Sequence, residues 1–269
     1  MQIKTEAQEL ANIRLASRGA EKRTGIFEPQ DLIRRAIEQY GDRSFISWSG
    51  GRCSTCVLFM ALKIKPDIKV IFTNTGVEYP ETVKFVEKTS HELNLDLIIT
   101  KPSTTFWEVC KEHGFPYEVR AGRGKPACCR LLKEYPLRNA VREQMLETEI
   151  TGIRVAESRA RMFYTAQAGQ FYFVKKYGLN IWKYNPIAFW TTSQLLEFER
   201  ENSIPENPVY EKYGLDRCGC WPCTGYLGWQ RTLARVNPRF YSWITKQMGP
   251  QRILEHFYDT RIAPCRERG

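Results

Sequence analysis

Ser44-Phe45-Ile46-Ser47-Trp48-Ser49-Gly50-Gly51-Arg52-Cys53-Ser54-Thr55 joins a short β-prone run, a turn with adjacent glycines, and the start of an apolar segment reaching Leu62. Strand, glycine turn and helix in that order are what an anion site needs. Glycines let the backbone bend and approach an oxyanion, the N–H groups at the helix start point at it, and Ser49, Ser54 and Thr55 supply hydroxyls. Arg52 adds a forked cation suited to phosphate or sulfate. The spacing is neither a dinucleotide fingerprint nor a Walker A loop. On local grounds alone, a tight turn with no ligand also accounts for it.

The pattern around this stretch sets the fold class. Ser44–Trp48, Lys69–Thr73, Leu95–Thr100 and Glu149–Ile153 read as strands, and Ser54–Leu62, Glu81–Leu93 and Leu137–Leu146 as helices. This alternation predicts an α/β protein, a parallel sheet with flanking helices and ligands at the carboxyl ends of the strands. Residues 1–43 read as a helical lead-in, with Pro29 and Asp31 starting a helix through Tyr40 whose Leu32, Ile33, Ala36 and Ile37 share a face. Residues 44–181 are then the nucleotide-binding α/β domain. Residues 182–269, rich in Trp, Tyr, Pro and Cys, form a helical, cysteine-rich C-terminal subregion and tail.

Composition narrows the function classes. The 269 residues are 42% hydrophobic with charges of both signs, which excludes a disordered chain. No apolar run approaches a bilayer span, so no membrane contact is expected. Met1–Lys22 lacks an apolar signal core, so the expected location is cytoplasmic. A formal charge of +10 favours anionic partners, and a solvated basic surface explains it equally well. Nine cysteines in a reducing compartment point to metal or redox chemistry before disulfides.

Two further clusters carry chemistry. In Gly152-Ile153-Arg154-Val155-Ala156-Glu157-Ser158-Arg159-Ala160-Arg161, the guanidiniums of Arg154 and Arg161 with Ser158 between them can converge on one oxyanion. Cys128-Cys129 and Cys218-Gly219-Cys220-Trp221-Pro222-Cys223 bring enough thiols for four ligands, the number tetrahedral zinc or a 4Fe-4S cluster requires. Adjacent cysteines fit one small tetrahedron badly but can bind different irons of a cubane. The cluster is therefore preferred, with zinc or a redox dithiol as the alternative.

Several of these segments resemble one family. Ser49-Gly50-Gly51-Arg52-Cys53-Ser54 is similar to the SGGKDS pyrophosphate loop (PP-loop) of the Rossmann-like adenine nucleotide α-hydrolase superfamily, which includes the phosphoadenylyl sulfate reductases and ATP-pyrophosphatase thiolation enzymes. Arg52 stands in the Lys position and Cys53 in an acidic one. Thr73-Asn74-Thr75-Gly76-Val77-Glu78-Tyr79-Pro80-Glu81-Thr82 is similar to the reductases' D-T-G-x-x-F/Y-P-E-T segment, and 152–161 to their G-x-R-x-x-x-S-x-x-R element. The cysteines resemble the cluster site of adenylyl sulfate reductases, C-C before R-x-x-K-x-x-P-L and then G-C-x-P-C-T.

The resemblance implies a cluster held by Cys128, Cys129, Cys220 and Cys223, with Cys218 extra. It also implies an adenine nucleotide bound by Ser49, Gly50, Gly51, Arg52, Ser54, Thr75, Gly76, Arg154, Ser158 and Arg161. The expected activity is reductive cleavage of adenylyl sulfate or phosphoadenylyl sulfate to sulfite, with a thioredoxin-like thiol donor. The reductases' C-terminal E-C-G-L-H nucleophile motif is absent. Cys265, flanked by Arg266 in the tail, is the candidate nucleophile. The alternative is an ATP pyrophosphatase, with Mg and ATP, that activates DNA or tRNA for sulfur insertion with a cysteine desulfurase. Arg231, Arg235 and Arg239, interleaved with Trp229, Phe240 and Tyr241, suit a nucleic acid, and equally an amphipathic helix. Homo-oligomerisation is left open.

Overall fold

The computed structural model describes residues 6–118, 125–176, 179–226 and 228–247. Two helices lead in, α1 (Glu6–Glu21) and α2 (Pro29–Tyr40). There follow β1 (Ser44–Ser47), α3 (Arg52–Leu62), β2 (Lys69–Thr73), α4 (Pro80–Glu92) and β3 (Leu97–Thr100). Beyond α5 (Phe106–His113) lie α6 (Ala127–Cys129), a π-helical turn (Arg130–Glu134) and α7 (Tyr135–Glu143). The chain continues through β4 (Thr148–Thr151), α8 (Arg159–Ala168), β5 (Phe171–Lys176), β6 (Leu179–Tyr184), α9 (Thr192–Glu201), α10 (Val209–Tyr213) and α11 (Trp229–Val236). Residues 238–247 are also helical.

The strands form one sheet in the order β3-β2-β1-β4-β6-β5, parallel except for β5, which runs antiparallel to β6. Alternation along β1 explains the two covered faces. Ile46 packs with Leu32 and Ile33 of α2 and Val57 and Leu58 of α3, whereas Phe45 packs with Ala140 and Val141 of α7. Crossovers from β1 run to β2 on one side, and β4 pairs on the other, so the strand order reverses between β1 and β4. In open α/β sheets that switch point is where the crevice forms.

The expected α/β class holds, with differences at particular elements. Helix α3 begins at Arg52, because Gly51 takes the extended N-cap conformation, so Arg52 and Cys53 belong to its first turn. The sheet does not end at residue 181: β6 crosses the expected boundary into the C-terminal subregion, and β5 pairs with it as an edge hairpin. A βαβ rhythm cannot reveal such a hairpin, since no helix separates its strands. Among the described residues no helix is long and apolar enough to cross a membrane.

Candidate active site

The loop after β1 is held from several sides. Gly50 has φ +69°, a left-handed conformation favouring glycine. Its carbonyl accepts from the buried Asn207 side chain at 2.9 Å, which also donates to Thr82 Oγ1 at 3.0 Å. The Ser49 N–H donates to Ser54 Oγ at 3.2 Å, and the two hydroxyls lie 3.0 Å apart. Tyr210 of α10 accepts from the Arg52 N–H at 3.1 Å. Ser49, Gly50, Gly51 and Ser54 are thus gathered at the α3 N-terminus, where no side chain serves as cap. Partial positive charge there suits an oxyanion.

Arg52 does not present a free guanidinium to that loop. It donates to Glu199 of α9 at 2.7 Å, pairs with Glu206, and lies over the Tyr210 ring at 4.5 Å. As first residue of the helix it is directed by α9 and α10, a tertiary arrangement its sequence position could not disclose. Burial works against its charge, yet Glu199 and Glu206 hold its pKa above the ordinary value.

Arg154 follows β4, on the other side of the switch point. It is buried, and its Nε donates to Cys53 Sγ at 3.3 Å while Nη1 reaches the Trp190 carbonyl at 3.3 Å and Thr192 Oγ1 at 3.4 Å. The Cys53 thiol donates to Glu157 at 3.2 Å, and burial, with Glu157, pushes its pKa up to about 12. Glu157 also pairs with Arg161. Ser158 is the N-cap of α8, accepting from the Arg161 N–H at 3.1 Å. Arg154 and Arg161 are therefore linked through one carboxylate, beside the α3 N-terminus. Gly152 permits this approach, since a Cβ there would fall 2.5 Å from Cys53 C and Ser54 N.

The cysteine-rich loop closes the crevice from the β2 side. Residues Glu78 and Cys220 form an antiparallel bridge, and the Trp221 N–H donates to the Val77 carbonyl at 2.9 Å. Thr75, at the end of β2, donates to Glu78 at 3.0 Å and lies 3.5 Å from Cys220 Sγ. Gly76, with φ +80°, donates its N–H to the Asn74 side chain at 3.0 Å. Burial raises the Glu78 pKa, against the pull of Lys133. Desolvation works against the Lys133 ammonium, but Glu78 and the thiols of Cys220, Cys218 and Cys129 outweigh it, while the residue stays open to solvent.

Cys128 and Cys220 pack against the same apolar cluster of Val77, Phe106, Val109, Cys110 and Leu132. The Cys128 thiol donates to Cys129, which lowers the Cys129 pKa to about 7 and raises that of Cys128. Cys223 feels the charge of Cys129, and Cys220 that of Cys223. All four thiols are partly exposed and free of disulfides. Among the described residues no three His, Cys, Asp or Glu side chains converge on one point as a single metal ion requires. A polynuclear group is gripped at separate corners, and Cys128 and Cys220, on one apolar cluster, would supply two of them.

Sequence reasoning missed Asn207, Tyr210 and Glu78, and it gave Gly152 and Glu157 no role, whereas Lys133 lies in the segment after Cys129 where a lysine and Arg130 are expected to raise the potential beside the thiols. Glu78 lies inside a quoted motif, where a carboxylate two residues from a strand-end glycine was the available signal. Asn207 and Tyr210 carried none, because their partners are more than a hundred residues away. Cys265 lies outside the described residues.

A parallel sheet with an anion loop at its switch point and thiols at the rim defines a nucleotide-binding α/β protein of the PP-loop type. Residues 43–226, more than half of the chain, match the phosphoadenosine phosphosulfate reductase domain, and the chain belongs to that family. It is 29% identical over 200 residues to the adenosine 5'-phosphosulfate reductase of Pseudomonas aeruginosa, covering 73% of this chain and 72% of that protein. To the phosphoadenosine 5'-phosphosulfate reductase of Alteromonas mediterranea it is 28% identical over 220 residues, covering 79% and 81%. The crystal structure of phosphoadenylyl-sulfate reductase from Candida auris, a phosphate complex, superposes with a TM-score of 0.57 at 23% identity, over 82% of this chain and 97% of that one.

Proposed function

We propose that this protein reductively cleaves adenylyl sulfate, or its 3'-phosphorylated form, to sulfite and the nucleoside monophosphate. The observation that carries this reading is the seating of the cysteine-rich loop on the anion loop, where Cys218 reaches the Ser49 carbonyl at 3.5 Å. A thiol-bearing segment thereby adjoins the place an anionic ester would occupy. The α3 N-terminus with Ser49 and Ser54 binds the nucleotide phosphate, and Arg154, Arg161 and Lys133 supply cations for the sulfate. Thr75 and Gly76 line the nucleotide side. Names borne by the relatives agree with this chemistry.

Cys128, Cys129, Cys220 and Cys223 are proposed to hold a 4Fe-4S cluster. Bound there, it supplies a fixed polarising charge beside the sulfate and exchanges no electrons with it. A thioredoxin-like dithiol is the proposed reductant. The test is anaerobic incubation with adenylyl sulfate or its 3'-phosphorylated form and dithiothreitol. Sulfite equal in amount to the nucleotide released is expected, and the ratio of the two rates identifies the substrate. A cluster-loaded protein that yields no sulfite overturns the reading.

One observation favours a second reading, ATP-dependent activation of a nucleic acid for sulfur insertion. Arg231, Arg235 and Arg239 are exposed on α11 and the helix after it, where Trp243 is also 45% exposed. That reading requires pyrophosphate release from ATP, and nucleic-acid binding that weakens steeply with salt.

A further inference from the structure

We propose that Cys218 supplies the thiol that attacks the sulfate sulfur, an inference that rests on the reductase reading above. Cys218 is the cysteine left over when the adjacent pair and the Cys220/Cys223 pair are assigned to a cluster. Its Sγ lies 3.5 Å from the Ser49 carbonyl. A Cβ on Gly51 would stand 2.8 Å from that sulfur, so the sulfur occupies room that only glycine leaves beside the anion loop. Tyr210, whose hydroxyl accepts the Arg52 N–H at 3.1 Å, packs in one apolar cluster with Cys218, and both flank Gly51 at the first turn of α3.

Other thiols near the loop are otherwise engaged. Cys53 sits between Arg154 at 3.3 Å and Glu157 at 3.2 Å, and Cys56 is fully buried in the core. Cys218, by contrast, also borders a shallow, solvent-open cleft lined by Tyr79, Asp216, Arg217 and Tyr226. It therefore touches the anion loop while staying within reach of a reductant, with Arg217 beside it.

In the proposed step, Cys218 gives its proton to solvent in the cleft and its thiolate attacks sulfur. An S–S bond forms and the bond from sulfur to the phosphate oxygen breaks, the electron pair leaving with the nucleoside monophosphate. A dithiol entering by the cleft attacks Cys218 Sγ, and sulfite departs with the electron pair of the S–S bond. The donor's second thiol then closes the donor disulfide and returns Cys218 as thiolate. Sulfur gains two electrons and the dithiol loses two.

The test uses the full chain, cluster-loaded and anaerobic, with ³⁵S-labelled adenylyl sulfate and no reductant. The expected result is a covalent label on the peptide containing Cys218, discharged as sulfite by dithiothreitol. Cys218→Ser and Cys218→Ala should lose the label and lower sulfite release by about 10³-fold or more, with iron content and adenylyl sulfate affinity within about twofold of the parent. A label on the Cys265 peptide overturns the assignment and leaves the reductase reading intact. Loss of iron in both variants overturns it too, making Cys218 a ligand. An unlabelled parent that makes no sulfite overturns the reductase reading itself, and the assignment with it.

Discussion

Gly152 shows how much a single residue decides. It lets the segment after β4 lie against the backbone of Cys53 and Ser54, and this contact brings Arg154 to the α3 N-terminus. Gly152→Ala places a methyl 2.5 Å from backbone atoms that cannot rotate away. A cost of about 1–3 kcal/mol is expected, as for other overpacked sites, together with weaker nucleotide binding. Thermal unfolding and calorimetric titration of the same variant check both. An unchanged affinity would remove Gly152 from the site. At this scale the sequence was informative where chemistry is local. Ser49, Gly50, Gly51 and Ser54 could be read as one loop from their spacing, and the structure gathers them. Arg52 could not, because the carboxylates that capture it, Glu199 and Glu206, belong to a distant part of the chain.

Among the elements, the π-helical turn at Arg130–Glu134 is the one with chemical consequences. A π-turn adds one residue to an α-helix and often marks a functional site. Here it sits between the adjacent cysteines of α6 and the core face of α7. Ala140 and Val141 fix α7 against the sheet, so the extra residue sets where Cys128 and Cys129 point. Deleting Leu131 should restore a plain α-helix, turn both cysteines by roughly 100° about the axis, and leave α7 seated. The expected outcome is a folded protein by circular dichroism whose iron and acid-labile sulfide fall severalfold. Normal loading would show that the register is not what positions these thiols. The reading of helix over Leu137–Leu146 missed this turn, since Arg130, Leu131 and Lys133 have ordinary helix propensities and only packing reveals the inserted residue.

For the whole molecule, the proposed cluster spans two regions far apart in sequence, the helix bearing Cys128 and Cys129 and the loop bearing Cys220 and Cys223. A group bound only by the folded chain adds its binding free energy to stability. Removing iron anaerobically with a chelator should therefore lower the melting temperature, by several degrees or more. The loop should also become open to protease around residues 216–224. Identical melting curves with and without iron would argue against a bridge between the regions. The parallel sheet itself was legible, because β1 to β4 follow the strand-helix rhythm of the residues. The β5–β6 hairpin was not, and it carries the sheet past the boundary expected at 181.

The N-terminal helices bear on how this fold is to be delimited. The family match begins at residue 43, yet Leu32, Ile33 and Ala36 of α2 lie in the main core. Glu9 of α1 accepts from Thr192 Oγ1 at 2.6 Å, and Thr192 in turn accepts from Arg154. A fragment cut at residue 43 would bare that core and remove the backing of a site arginine. The span matched to the family and the packed core are therefore not the same length here: the core runs upstream through α2 and downstream to Trp229, Leu233 and Ile244.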